Sequence, residues 1–297
     1  MKKLLKAVLT ERQISRLRAF RCGVNSFLEK ALISIIKIVP SGFLLIIKSN
    51  ADVIKKMDYE KHDIFLNINS DIECYLRLHS CEKEPEMITW IHDFLKDGDA
   101  FYDIGANVGA YSLIASKYFN GKVKVYAFEP GFLTFAELCR NIITNKCQDS
   151  ITPLQIALSD KTAIDVFNYN NLTPGGALHA FGEPLDYRGE VFMPVFRQQV
   201  LSYRIDDLIR QFGLQIPSHI KIDVDGIEHK ILEGAGEILK KAALRSVIVE
   251  LEEDSQKADK IIKLMSQSGF RVHSKHRYVY DGNDGPYAKM HNYIFKR

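Results

Sequence analysis

From residue 99 onward short apolar runs alternate with helix-periodic stretches, and this alternation constrains the fold more than any other feature. It predicts strands at about 100–104, 123–128, 152–157, 219–224 and 246–251, with helices near 109–118, 132–145, 227–241 and 255–268. KVYAFEP and SVIVELE are almost continuously apolar, as strands covered on both faces must be. Strands and helices in alternation point to an α/β fold with a doubly wound, mostly parallel sheet. GFRVHSKHRYVY and HNYIFKR add two strands in hairpin-like order, an antiparallel C-terminal edge. A chain of 297 residues has room for one elaborated domain of this kind plus an extension.

Upstream the pattern differs. Val24, Phe27, Leu28, Ala31, Leu32, Ile35 and Val39 follow helical spacing, Pro40 and Gly42 end that helix, and GFLLIIKSNADVIKKM predicts one or two short helices more. Residues 1–57 therefore read as a helical N-terminal extension. Its charge is lopsided: residues 1–56 carry twelve Lys/Arg against three Asp/Glu, whereas the other 241 carry 28 against 34. Such a segment can make peripheral contact with an anionic membrane or meet an acidic partner, and the plainer reading is a solvated helical face. No nucleic-acid partner is expected. The apolar run Ile38–Ile47 is interrupted by Pro40 and Gly42 and falls short of the ~20 residues of a membrane span. The apolar part of MKKLLKAVLTERQ is too short for a signal peptide. Cys22, Cys74, Cys81, Cys139 and Cys147 are odd in number and lie at no metal-ligand spacing, the usage of a reducing compartment. The expected location is the cytoplasm, and the sequon at Asn171 reads as a chance match.

Residues 58–98 form a lead-in. In HDIFLNINSDIECYLRL, Ile64, Leu66 and Ile68 alternate, Asn69-Ser70-Asp71 is turn chemistry, and Ile72, Cys74, Leu76 and Leu78 alternate again, which predicts a β-hairpin. A helix follows over EPEMITWIHDFLK, with Trp90, Ile91 and Phe94 as core. Between about 160 and 205 the main rhythm breaks. AIDVFNYNN and EVFMPVFRQQV suggest strands around the Gly/Pro-rich NLTPGGALHAFGEP, an insertion near the carboxyl ends of the strands where a substrate loop is expected. Its Tyr169, His179, Tyr187, Arg188 and Arg197 form no readable code for an acceptor.

FYDIGANVGAYSLIASK reads as strand, glycine turn and helix, with Asp103 ending the strand. A dinucleotide turn needs a middle glycine for the pyrophosphate, and Asn107 stands there instead. An acidic side chain before the turn suits a ligand with a positive centre and an amino group, as in S-adenosylmethionine. Glu129 ends the next strand 24 residues after Gly105, where a carboxylate can accept hydrogen bonds from ribose hydroxyls. Ala157, Leu158 and Ser159, ending the third strand, offer small, apolar and polar contacts for adenine. Tyr111 can touch the cofactor or simply pack.

In HIKIDVDGIEH alternate residues share a side, which groups Lys221, Asp223 and Asp225, with Glu250 on the neighbouring strand and His229 just inside the next helix. A hydroxyl acceptor needs a base or a metal beside it. Asp223 or His229 could be the base, or Asp223, Asp225 and Glu250 could hold Mg²⁺. Asp225-Gly226 is also ordinary turn chemistry, and His229 an ordinary exposed histidine.

DIGANVGAYS, VYAFEP, ALSDKTA, IDDLI, IKIDVDGIEHKILEGA, VIVELE and NYIF follow one another as in the FkbM-like S-adenosylmethionine-dependent methyltransferases, which residues 80–297 resemble. The resemblance implies a class I, Rossmann-like methyltransferase domain over 99–297. It also implies cofactor contacts at Asp103, Gly105, Ala106, Asn107, Gly109, Glu129 and Pro130, and O-methylation of a sugar, glycan or natural product. Asp225 replaces the glutamate of many relatives and keeps the carboxylate. Two rivals remain: an NAD-linked oxidoreductase, and a non-catalytic scaffold docking through the basic N-terminal helices.

Overall fold

The computed structural model describes residues 27–277, except Glu29 and Tyr187, and residues 289–297. Val24, Cys22 and the basic opening lie outside the described residues. The chain divides between Asp52 and Val53 into two units.

In the first unit residues 30–38 form α1 and Ser41–Asn50 form α2. Pro40 separates them because its ring disfavours helix at Val39 and its nitrogen has no proton to donate. Gly42 falls inside α2 rather than ending the first helix. No residue of α2 is buried.

The second unit opens with β1 (Ile54–Lys56) and β2 (Phe65–Asn67), paired antiparallel. The hairpin expected over residues 64–78 does not form. β2 pairs upstream, and the second half is helical, α3 (Asp71–Tyr75) followed by a tight turn at Arg77–His79. Ser70 caps α3 by accepting the Glu73 N–H at 3.1 Å, while the Glu73 carboxylate accepts the Asn69 N–H at 2.6 Å. This reciprocal cap outweighs the strand-like alternation. In α4 (Pro85–Phe94), Trp90 is fully buried and donates to Ser246 Oγ at 3.0 Å. Ile64, Leu66 and Trp90 share one apolar cluster with Phe101 and Val125, so the lead-in is part of the main core rather than a domain of its own.

The main sheet is built from β3 (Ala100–Ile104), α5 (Ala110–Tyr118), β4 (Lys124–Phe128), α6 (Phe132–Thr144) and β5 (Ile151–Leu154). The chain then leaves this sheet. β6 (Ala157–Leu158), β7 (Ala163–Tyr169), β8 (Ala180–Phe181) and β9 (Phe196–Tyr203) make a second sheet in the order β6-β9-β7-β8. The single strand expected at 152–157 is thus split between two sheets. After α7 (Ile205–Phe212) the main sheet resumes with β10 (His219–Ile222), α8 (Glu228–Glu233), β11 (Ser246–Glu252), α9 (Gln256–Gln267), β12 (Arg271–Arg277) and β13 (Met290–Lys296). α8 is far shorter than the predicted helix. It stops at Gly234, where a Cβ would stand 2.1 Å from the Ser159 carbonyl oxygen.

The seven strands run in the order β12-β13-β11-β10-β3-β4-β5, and only β13 is antiparallel to its neighbours. This is the class I methyltransferase arrangement. β3 lies between β4 and β10, so the chain order reverses there and a crevice opens beyond the carboxyl ends of these strands.

Candidate active site

β3 ends at a turn that only certain residues can make. Gly105 has φ +74°, and a Cβ on it would stand 2.0 Å from the carbonyl oxygen of Asp223. The bare backbone lets the first strand's turn press directly on the end of β10. Gly105 and Ala106 both donate N–H bonds to the Phe128 carbonyl at 3.0 Å, which ties the turn to β4. Asn107 also takes a left-handed conformation, φ +50°, which asparagine tolerates better than most residues. Its N–H donates to Glu129 Oε2 at 3.0 Å and its side chain to the Gly176 carbonyl at 2.9 Å. Glu129 Oε1 accepts the Gly131 N–H at 2.8 Å. Burial pushes the Glu129 carboxyl up to about 7, against the pull of these two N–H donors.

Beyond the turn lies a cavity of about 440 Å³. Its lining combines apolar residues, Phe128, Ile156, Ala157, Leu158 and Phe167, with Gly105 and Asn107 of the turn, Glu129 and Pro130 after β4, and the carboxyl groups of Asp223, Asp225, Glu228 and Glu250. Such a volume lies in the range of small-ligand sites. His179 of the insertion also lines it, as do Arg77, Lys83 and Leu178, none of which the sequence pattern marks as a site residue. The insertion's contribution needed its anchor points: Arg77 Nε and Nη2 both donate to the Gly175 carbonyl, at 3.0 and 2.8 Å, and Ser70 Oγ donates to the Pro174 carbonyl at 2.7 Å.

The acidic lining is held in a mixed charge state. Lys221 is fully buried, 3.0 Å from Asp103 Oδ1 and 3.4 Å from Asp223 Oδ2, and donates to the Gly105 carbonyl at 3.0 Å. Burial works against its charge, yet Asp103 and Asp223 hold its pKa above the usual lysine range. Burial likewise opposes the charge of Asp223, and Lys221, Lys83 and Arg77 overcome it, so Asp223 stays ionised below the usual carboxylate range. Asp225 is pushed up to about 7 by burial and by the Asp223 charge, although it accepts the His179 N–H at 3.1 Å. Burial drives Glu228 up to about 8. Burial and then the charges of Asp223 and Glu84 drive Glu250 well above its ordinary range.

Several expected site residues stand elsewhere. Asp103 is fully buried behind the cavity wall, its carboxylate taken by Lys221 and by Ser112 Oγ at 2.6 Å, so it supports the turn instead of facing a ligand. Ala106, Gly109 and Lys221 also sit behind the wall. Tyr111 is buried with its hydroxyl donated to the Glu84 carboxylate, and Ser159 donates to Asp160 Oδ1 at 3.0 Å. His229 lines a separate small cavity with Glu233 and Lys260 and does not line this one. Asp223, Asp225 and Glu250, the alternative set for Mg²⁺, all line the cavity without converging. Asp223 is turned to Lys221 and Asp225 to the His179 N–H, and among the described residues no three His, Cys, Asp or Glu side chains converge as metal ligands.

A glycine turn beneath a cavity, with a ribose-capable carboxylate on the second strand, occurs in more than one nucleotide-binding family. The family model for the methyltransferase FkbM domain matches residues 103–272. The chain belongs to the FkbM methyltransferase family. That match begins at Asp103, before the Gly105 turn, and runs past Asp223 and Glu250. Among curated relatives, the 31-O-demethyl-FK506 methyltransferase FkbM of Streptomyces tacrolimicus is 26% identical over 231 residues, 71% of this chain and 82% of the relative. The hexuronic acid methyltransferase AglP of Haloferax volcanii is 24% identical over 197 residues, 66% of this chain and 74% of the relative. The crystal structure of methyltransferase FkbM from Methylobacillus flagellatus KT is similar at 15% identity and a TM-score of 0.47, over 68% of this chain and 45% of that one.

Proposed function

We propose that this chain is an S-adenosylmethionine-dependent methyltransferase that acts on a hydroxyl of a sugar, glycan or natural product. One observation carries the reading: a single cavity joins an apolar slot, the Glu129 carboxylate and an acidic wall. Those three surfaces match the three parts of the cofactor. The slot between Phe128, Ile156 and Leu158 suits adenine, and Glu129 suits the ribose hydroxyls. The ionised Asp223 suits a cationic sulfonium and amino group, and the bare Gly105 backbone allows close approach. When bound, the cofactor supplies an electrophilic methyl group.

The chain's own residues then orient the acceptor and take its proton. Asp225 suits the proton transfer because its carboxyl, at about 7, is both a competent base and available near neutral pH. Asp223, tied to Lys221, is the weaker base and contributes charge instead. The names of the relatives support the acceptor class: one is a methyltransferase of 31-O-demethyl-FK506 and one of a hexuronic acid. Cys74, Cys81, Cys139 and Cys147 are all free thiols, which supports a reducing location such as the cytoplasm.

Titration calorimetry with S-adenosylhomocysteine, with NAD as control, tests the cofactor. Micromolar binding of the first alone is expected, lost at least 100-fold in Glu129→Ala. Binding of NAD, or an undiminished Glu129→Ala variant, overturns the assignment. For the base, Asp225→Asn should lower kcat by 10²-fold or more and abolish the limb of the pH–rate profile near pH 7, with little change in S-adenosylhomocysteine affinity. A limb that persists in this variant assigns the proton transfer elsewhere.

A further inference from the structure

The first unit presents apolar side chains that the described residues leave uncovered. Phe27, Ile38, Phe43, Leu45, Ile46 and Ile47 are each more than half exposed. In α1, Lys30, Ser34 and Lys37 are spaced four and three residues apart and so share one side, while Ala31, Leu32 and Ile35 fall on the other. In α2, five consecutive apolar residues from Phe43 to Ile47 are followed by Lys48 in the last turn. Burying such surface is favourable, and within the described part of this unit nothing buries it.

We infer that α1 and α2 dock in the interfacial layer of an anionic lipid bilayer. Charge selects this occupant: twelve Lys/Arg against three Asp/Glu in residues 1–56 attract an anionic leaflet, whereas a second copy would bring the same positive charge against it. Length selects the geometry. The ten residues of α2 reach about 15 Å, half the hydrocarbon thickness, and among the described residues no helix is long and apolar enough to cross a membrane. Pro40 breaks the run into two pieces, each of which can lie in the plane with its lysines toward the headgroups. This inference is independent of the methyl-transfer reading, since none of these residues lines the cavity.

Flotation of the full chain with vesicles tests it. Vesicles of phosphatidylglycerol and phosphatidylcholine in equal parts should bind at least tenfold more protein than phosphatidylcholine alone, and high salt should weaken that preference. Each basic residue near such a surface is worth roughly a fivefold gain in partition, so K30Q/K37Q/K48Q should weaken the anionic preference, with the other basic residues of 1–56 keeping part of it. I35E/I46E should lose at least tenfold on anionic vesicles while the thermal transition of the full chain is unchanged. Equal flotation of the unaltered chain and I35E/I46E overturns the inference, as does absence of binding to either vesicle. Sedimentation equilibrium supplies a further outcome against it: a lipid-free dimer that I35E/I46E abolishes would assign the surface to a second copy.

Discussion

The ammonium of Lys221 stands 3.0 Å from a carboxylate oxygen of Asp103, and neither side chain reaches solvent. The two residues sit in register on adjacent parallel strands, β10 and β3, so the sheet itself sets their spacing. From this buried pair the lysine also reaches Asp223 and the Gly105 carbonyl, linking the strand under the turn to the acidic wall of the cavity.

Removing the lysine should therefore cost more than a contact. Lys221→Met leaves Asp103 buried without its counter-charge, an expected loss of about 3–5 kcal/mol. Adding Asp103→Asn to that variant should recover part of the loss, because the stranded charge is gone. Urea denaturation of the four members of the cycle measures the coupling, and a single-variant loss below about 1 kcal/mol contradicts the role assigned to the pair.

Gly105→Ala should be far worse than Gly98→Ala. Both glycines have positive φ, +74° and +87°, so both substitutions carry backbone strain of about 1–2 kcal/mol. Gly98 has nothing within 4 Å of a new Cβ, whereas at Gly105 the Asp223 carbonyl oxygen is 2.0 Å away. The excess destabilisation of Gly105→Ala over Gly98→Ala, read from denaturation midpoints, isolates the close approach, and equal losses would remove it from the account.

Ligand-free stability should fall as pH rises from about 6.5 to about 8. Glu129 and Asp225 are raised to about 7 from ordinary values of 4.5 and 3.8, and Glu228 to about 8 from 4.5. In that window the folded state keeps protons that the unfolded chain has released, so stability declines with pH and levels off above the folded values. Asp99 opposes this only in acid, since His219 and Arg245 outweigh burial and lower it to about 2 from 3.8, whereas His92, His179, His219 and His229, all lowered by burial from 6.5, oppose it up to about pH 6.5. Urea midpoints should be lower at pH 8 than at pH 6.5, and Glu129→Gln should reduce the difference. A rise in midpoint over the same interval would show that these carboxyls ionise freely in the fold.

Arg77→Ala should loosen the cover of the cavity without unfolding the sheet. Both guanidinium donors end on the Gly175 carbonyl, and Asn107 and Ser70 make the neighbouring attachments at Gly176 and Pro174. Limited proteolysis within residues 170–180 should quicken by about tenfold, with the global denaturation midpoint shifted little. Unchanged cleavage would mean that the other two attachments suffice.

The predicted elements fared according to the range of the forces that set them. β3, β4, β10 and β11 were legible because each is a short apolar run between turn residues, and the register of Gly105 with Glu129 follows from one strand–helix–strand repeat. Residues 71–79 misled because alternating Ile72, Cys74, Leu76 and Leu78 look like a strand, while the Ser70–Glu73 cap that makes the segment helical is a hydrogen-bond pattern that periodicity does not report. Asp103 was read as facing a ligand because it ends the strand before the turn. Its side chain is instead claimed by a lysine 118 residues later, which no local rule reveals.

The sequence by itself determined the alternation of strands and helices, the glycine turn and the placement of Glu129, because these depend on backbone propensity and on neighbours within a few dozen residues. Only the tertiary structure decided that Arg77 and residues of the 170–181 segment line the cavity, that Lys221 pairs with Asp103, and that Asp225 lines this cavity while His229 lines another. Those outcomes depend on which distant side chains share a buried volume. In such a volume burial and neighbouring charge, not residue type, set who is ionised and what each group can do.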